Sequence, residues 1–171
     1  MTINQEIESK LAENDHVSVF RMLDENPEVI DEQIAPGNTF TYLIEACRRR
    51  YDTIATGLLE RGADVNRVNA VDENGEGGNA PLWFACQGPA EGNRDLLMLL
   101  IKAGAQLDSQ GESGWTPLHM ACQWLHVDLA ELLLEAGASP DIRDSEGRTP
   151  LEYAKEKVDD MTFMRLKRVF N

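Results

Sequence analysis

The chain has 171 residues, with 16 Lys and Arg against 30 Asp and Glu, for a formal net charge of −14; this length fits one domain or one short repeat array with a continuous core. Its 42% hydrophobic and 27% charged residues describe a folded chain rather than a disordered acidic tail, and the acidity argues against general nucleic-acid binding, which needs clustered Lys and Arg, leaving basic proteins as natural partners. Three cysteines are too few for a disulfide framework, no apolar run approaches the ~18 residues of a membrane span, and Met1-Thr2-Ile3-Asn4-Gln5-Glu6 lacks the basic and apolar regions of a secretory signal.

In chain order, residues 2–13 and 16–26 read as a helix pair with Ile7, Leu11, Val19, Met22 and Leu23 inward, ended by Asn26-Pro27. The next unit opens on Thr41-Tyr42-Leu43-Ile44-Glu45-Ala46-Cys47 and stops at Gly62-Ala63. The pattern returns as Ala80-Pro81-Leu82-Trp83-Phe84-Ala85-Cys86 with Gly104-Ala105. It returns again as Gly114-Trp115-Thr116-Pro117-Leu118-His119-Met120-Ala121-Cys122 with Gly137-Ala138. A last copy, Gly147-Arg148-Thr149-Pro150-Leu151-Glu152-Tyr153-Ala154, lies 33 residues further on. Thr116 before Pro117 is an N-cap followed by proline in the first turn. Leu96, Leu97, Leu99 and Leu100, like Leu129, Leu132 and Leu133, mark second helices at helical spacing. Each second helix then stops at a glycine, which enters the left-handed region without a Cβ clash. Met161 to Phe170 reads as a final helix.

The spacing also locates insertions. Motif leucine to stop glycine is 19 residues for Leu43–Gly62 and Leu118–Gly137 but 22 for Leu82–Gly104, which places three extra residues near Gly88–Asn93. Glycine to the next motif leucine is 14 residues for Gly104–Leu118 and Gly137–Leu151 but 20 for Gly62–Leu82, so six extra residues lengthen the loop at 68–78. The Gly75-Glu76-Gly77-Gly78 stretch there follows no strand and carries no Lys, so it reads as a flexible loop rather than a phosphate cradle.

The motif, the Gly-Ala pair and the period together resemble the ankyrin repeat, whose core is T-P-L-H-x-A on a period of about 33 residues. Thr116-Pro117-Leu118-His119-Met120-Ala121 matches it at every fixed position. The resemblance implies an all-α ankyrin-repeat solenoid of about five helix-turn-helix units with short β-hairpin-like loops. Residues 1–36 would cap the N-terminus. Three inner repeats would occupy 37–143, divided at about 37–69, 70–110 and 111–143, and 144–171 would cap the C-terminus.

Cys47, Cys86 and Cys122 each follow the motif alanine, so they are expected as small buried hydrophobes. Successive repeats stand about 10 Å apart, too far for one zinc ion with ligands at ~2.3 Å. Unpaired buried thiols favour a reducing compartment, hence the cytosol. The resemblance makes His119 a hydrogen-bonding link between repeats and places His126 at the α–α turn, with Leu125 where the family has glycine. No cofactor or metal site is expected, and no metalloprotease or nucleophile-elbow motif is present.

If Leu118, Ala121 and Cys122 face inward, then His119, Met120, Gln123 and Trp124 face the other way. The same register selects Phe84, Gln87, Arg48, Arg49 and Tyr153, and the position before the motif holds Phe40, Asn79, Trp115 and Arg148. In the family this side forms the concave binding surface. The candidate protein-binding residues are therefore Trp115, Trp124, Phe40, Arg48, Arg49, Phe84, Met120, Gln123, Arg148 and Tyr153. Counting Trp83, this side holds six of the eleven aromatics, the residue class that dominates binding hot spots. Trp83 and Phe84 have packing between repeats as the competing role. The Arg48-Arg49-Arg50 run could pair with acids of a partner or of this chain. Residues 1–36 carry nine acids and two bases, while residues 144–171 carry six of each, so steering of a basic partner is expected from the N-terminal end.

The expected function is non-enzymatic: a monomeric, cytoplasmic module that binds and blocks a partner protein through its concave face, such as an immunity protein that neutralises a toxin. A scaffold or adaptor bridging two partners is the alternative.

Overall fold

The computed structural model of the chain describes residues 2–35, 38–71, 77–88, 94–157 and 160–170. Five helix pairs run through them: α1 (Ile3–Ala12) with α2 (His16–Glu25), α3 (Tyr42–Arg49) with α4 (Asp52–Glu60), α5 (Pro81–Ala85) with α6 (Arg94–Lys102), α7 (Pro117–Gln123) with α8 (Val127–Glu135), and α9 (Pro150–Lys157) with α10 (Asp160–Lys167). Short strands β1 (Gln33–Ala35) and β2 (Asn38–Thr41) pair antiparallel, with Gln33 opposite Thr41. The molecule is an all-α solenoid of ankyrin type. Residues 72–76, 89–93 and 36–37 lie outside the described residues, and with them part of each expected insertion and Gly75-Glu76 of the glycine-rich stretch.

Helix starts follow from the threonines. The Thr41 hydroxyl accepts the Ile44 N–H at 3.3 Å and the Thr116 hydroxyl accepts the His119 N–H at 3.4 Å. The Thr149 hydroxyl does the same for Glu152 at 3.3 Å. Ala80 stands at the equivalent position before α5 and offers no such acceptor; α5 is only five residues long.

Stacking completes the core. Leu43, Leu82 and Leu118 are buried, as are Ala46, Ala85 and Ala121 one turn on. Cys47, Cys86 and Cys122 are free and buried in the same layer. Burial pushes each thiol far above the ordinary range, and in that state they are inert. In the first unit Ile7, Leu11, Val19 and Leu23 are buried, while Met22 is partly exposed.

Backbone bonds also join the loop side of successive units. Ala70 N–H donates to Thr39 O at 3.2 Å and Asn69 N–H to Asn79 O at 3.1 Å. Further on, Ser145 N–H donates to Ser113 O at 2.9 Å, while Gly111 N–H donates to Trp115 O at 2.9 Å within one loop tip. Asn79 adds a side-chain link, its Oδ1 accepting the Glu112 N–H at 2.8 Å.

His119 ties the third inner unit to the last. Its Nδ1 accepts the Thr116 N–H at 3.2 Å, and its Nε2 lies 3.1 Å from Arg148 O. A carbonyl can only accept, so the ring is the neutral Nε2–H form. Burial holds the His119 pKa below its ordinary 6.5, against the Arg148 carbonyl bond and the Asp144 charge, which pull upward.

The turns between paired helices carry strain. Asn14, Arg50 and Leu125 sit at φ 57°, 61° and 60°, whereas the second helices end on Gly62, Gly104 and Gly137 at φ 87°, 89° and 101°. Leu125 thus keeps the turn geometry that glycine gives the family. Among the described residues no helix is long and apolar enough to cross a membrane, and no cluster of His, Cys, Asp and Glu could hold a metal.

Two outcomes follow. Left-handed backbone costs a branched residue about 1–2 kcal/mol, and glycine returns about 0.5–1 kcal/mol of that through unfolded-state entropy. Leu125→Gly should therefore raise stability in urea unfolding by about 0.5–1 kcal/mol; a loss would mean that the exposed leucine packs more than it strains. The unfolded chain protonates His119 before the folded chain does, so stability falls as pH drops below about 6.5, by at most about 1.4 kcal/mol per pH unit until the folded pKa is reached. A His119 ring that titrates at 6.5 in an NMR pH series would contradict this.

Candidate functional site

The first helices and the loop tips leave a groove on one side of the solenoid. Aligning the units on their motifs gives its floor as Glu45, Phe84, Met120 and Tyr153, one residue from each. All four are buried. The loop-side wall is Phe40, Asn79, Trp115 and Arg148, and the helix-side wall carries Arg48, Gln87, Gln123 and Trp124.

Two adjoining hollows occupy the middle of this groove. The larger, about 580 Å³, is lined by Phe40, Arg48, Phe84 and Trp124 among others. The smaller, about 270 Å³, is lined by Trp115, Met120, Gln123 and Trp124 among others. Both also touch Trp83, Gln87 and Glu112. The structure thus brings seven of the ten sequence-derived residues to the two hollows. Arg49, Arg148 and Tyr153 line neither.

Exposure sorts the seven. Phe84 and Met120, at 5% and 2%, are floor rather than free contact surface. The first helices of neighbouring units, α5 and α9, flank α7 on either side, which leaves only a narrow strip of it uncovered. Trp115, Trp124, Phe40 and Gln123 are half-buried and remain partly reachable. Trp83, which has packing as its competing role, does both: it is 6% exposed yet lines both hollows.

Aromatic contacts hold these rings in place. Phe40 packs edge-on to Phe84 with centroids 5.3 Å apart, and Trp83 to Phe84 at 5.0 Å. Trp115 meets Tyr153 at 4.9 Å, and the Arg148 guanidinium lies 4.8 Å from the Tyr153 ring. Such pairs add about 0.5–1.5 kcal/mol each beyond burial.

Electrostatics of the groove centre on Glu45. Arg48 donates to both of its carboxylate oxygens, at 2.8 and 2.9 Å, and Arg49 also pairs with it. Burial pushes the Glu45 carboxyl up, but the hydrogen bonds from Arg48 and Arg49 outweigh it and hold the pKa below the ordinary range. Arg48 also stacks 5.4 Å over Phe40. Arg50 instead reaches across to Gln87 O at 3.1 Å. The basic run is therefore engaged with this chain's own acid and backbone. At the far end, Arg148 pairs with Asp144, Glu146 and Glu156.

One feature is unpaid in the free chain. The indole Nε1 atoms of Trp83, Trp115 and Trp124 are shielded from solvent and have no hydrogen-bond partner among the described residues. Each unmatched buried donor costs about 1–3 kcal/mol.

Glu112 is a lining residue that the repeat register does not select. Glu112 opens the tight turn Glu112–Gly114, where Ser113 sits at φ 57°, and only that turn brings it to the groove. Gln87 and Asn79, by contrast, stand where the register and the pre-motif position put them, on the groove side. A larger hollow of about 770 Å³ lies toward the N-terminal loop tips, among residues such as Thr2, Glu32, Arg67 and Val68. It has no aromatic lining, so the smaller aromatic pair is the better candidate for recognition.

Comparison with known proteins agrees with the geometry. A family model described as ankyrin repeats (3 copies) matches residues 66–144 and 82–162. The chain is 37% identical over 81 residues to mouse protein phosphatase 1 regulatory subunit 27, covering 46% of this chain and 51% of the relative. It is 39% identical over 81 residues to rat protein phosphatase 1 regulatory subunit 12A, covering 47% of this chain and 8% of that much longer protein. It is 33% identical over 90 residues to a putative ankyrin repeat protein of Rickettsia felis, covering 51% of this chain and 37% of the relative. The chain therefore spans about half or less of the length of these curated relatives. With the motif, the stacked helix pairs and a family match over more than half of its residues, the chain belongs to the ankyrin-repeat family, whose members are protein–protein interaction modules.

Proposed function

We propose that the chain is a non-enzymatic binding subunit that seats a partner protein in its concave groove and blocks it. The observation that carries this reading is the convergence of all three tryptophans on one hollow. Aromatic rings on a fixed floor give large contact area with little entropy to lose. Two relatives are named as regulatory subunits of a phosphatase, which supports an enzyme as the partner. The buried free thiols support a reducing, cytoplasmic setting, and the chain is taken to act as a monomer.

A narrower version, an immunity protein covering a basic toxin, rests on the net charge of −14 alone. The groove does not add to it: the ionisable groups lining the two hollows are Arg48 and Glu112, one of each sign. The acidic excess contributes through long-range steering, which salt weakens. The scaffold reading requires a second partner on another face.

Affinity capture with the full chain, followed by mass spectrometry, supplies the partner for the test. Trp115→Ala and Trp124→Ala should each weaken its binding by about 2 kcal/mol or more while circular dichroism stays unchanged, and saturating the captured enzyme one-to-one should inhibit it. Normal binding by both variants would refute the groove, and retained enzyme activity with a second protein bound alongside would favour the scaffold.

A further inference from the structure

Ala70, Glu112 and Ser145 are equivalent loop-tip residues, each eight residues past a stop glycine, Gly62, Gly104 or Gly137. The Ala70 N–H donates to Thr39 O at 3.2 Å and the Ser145 N–H to Ser113 O at 2.9 Å, main chain to main chain in both cases. Between the third and fourth helix pairs the Glu112 N–H reaches the side-chain Oδ1 of Asn79 instead, at 2.8 Å. The same junction lacks two further ties. Ala80 adopts φ −81° and ψ 162°, close to the backbone of the capping residues Thr41 (−86°, 167°) and Thr116 (−87°, 166°), but has no hydroxyl to offer. Trp83 stands where His119 stands in the next unit. His119 Nε2 meets the Arg148 carbonyl, whereas Trp83 Nε1 has no partner among the described residues. The five-residue α5 packs closely on α3 but thinly on α7.

The second-helix side is stitched alike at successive junctions. Asp31, Asn66 and Asp108 accept through Oδ1 from the main-chain N–H groups of Asp64, Gln106 and Ser139, at 2.9, 2.8 and 2.9 Å. Across the junction in question Arg94 also donates to Asp128 O at 3.2 Å, and His126 Nε2 lies 2.8 Å from Gly88 O. The third and fourth pairs are thus held at their second helices and turns, and weakly at their first helices and tips. The shielded, unmatched indole N–H groups come from both sides of that weak front, Trp83 from one and Trp115 and Trp124 from the other. Parting the first helices gives these donors water, so the closed form carries a penalty that the open form sheds.

We propose that this junction is a hinge. Helix pairs one to three form one body and pairs four and five the other, and α5 and α7 part in front while the second helices act as the pivot. Both hollows are lined from both sides of the junction, so the hinge angle sets the width of the groove.

Double electron–electron resonance on the full chain, without a partner, tests this. Cys47, Cys86 and Cys122 are buried and inert, so nitroxides attach at cysteines introduced by Ser9→Cys, Lys102→Cys, Glu131→Cys and Lys155→Cys, all at exposed positions. The Ser9–Lys102 and Glu131–Lys155 pairs, each within one body, should give narrow distance distributions. The Ser9–Lys155 pair should give one wider by several ångströms and extended to longer distances. Ala80→Thr, which supplies the missing hydroxyl, should narrow it, and Asn79→Ala, which cuts the tip bond, should widen it. A Ser9–Lys155 distribution as narrow as the other two would overturn the hinge, and so would equal breadth within either body. So would a folded Ala80→Thr chain whose distribution stays unchanged; should that variant not fold, the three distributions of the parent chain decide.

Discussion

Leu43, Leu82 and Leu118, with Ala46, Ala85 and Ala121, reach burial only because a neighbouring helix pair covers them. A single pair of this size cannot bury its own apolar face, so each unit depends on the next. That constraint shapes the rest of the molecule. It places the three cysteines in one dry layer, makes the hydrogen-bonded tips form a continuous loop side, and turns the first helices into a common wall. The groove is what remains when stacking is complete.

The same constraint divides the groove by burial. Glu45, Phe84, Met120 and Tyr153 are buried in the floor, so they set the shape without being free to adapt. Phe40, Trp115, Gln123 and Trp124 stand on the walls, partly covered and partly reachable. Charge follows the division. Glu45 lies in the floor and is matched by two arginines, and Asp144 at the loop side is matched by Arg148. The excess acids that give the chain its net charge lie away from the hollows, and this separates long-range attraction from contact chemistry.

Much of this was legible in the sequence because it is local. Thr116-Pro117 marks a helix start through one hydroxyl and one missing N–H, and Gly62, Gly104 and Gly137 mark helix ends through their left-handed backbone. The recurrence of these signals on a fixed period gave the solenoid. What escaped depends on neighbours distant in sequence. Helical register separates Met120 from Leu118, yet α5 and α9 close over the flanks of α7 and bury both. Glu112 enters the groove through a tight turn that no periodicity announces. Trp83 occupies the motif-histidine position, where groove lining and packing between repeats compete, and the structure shows it packed on Phe84 while lining both hollows. The engagement of Arg48 and Arg49 with Glu45 was one of two open outcomes, and the three-residue and four-residue spacings on one helix allow it.

The central claim is that recognition takes place on the hollow side of the stack and not on the outer second helices. Hydroxyl-radical footprinting of the full chain, with and without its captured partner, tests it most directly. Trp115 and Trp124 should lose reactivity in the complex, while Met161 and Met164 of α10, 78% and 55% exposed, should react as before. Protection of Met98 and Leu99 on α6, with both tryptophans unchanged, would contradict the account.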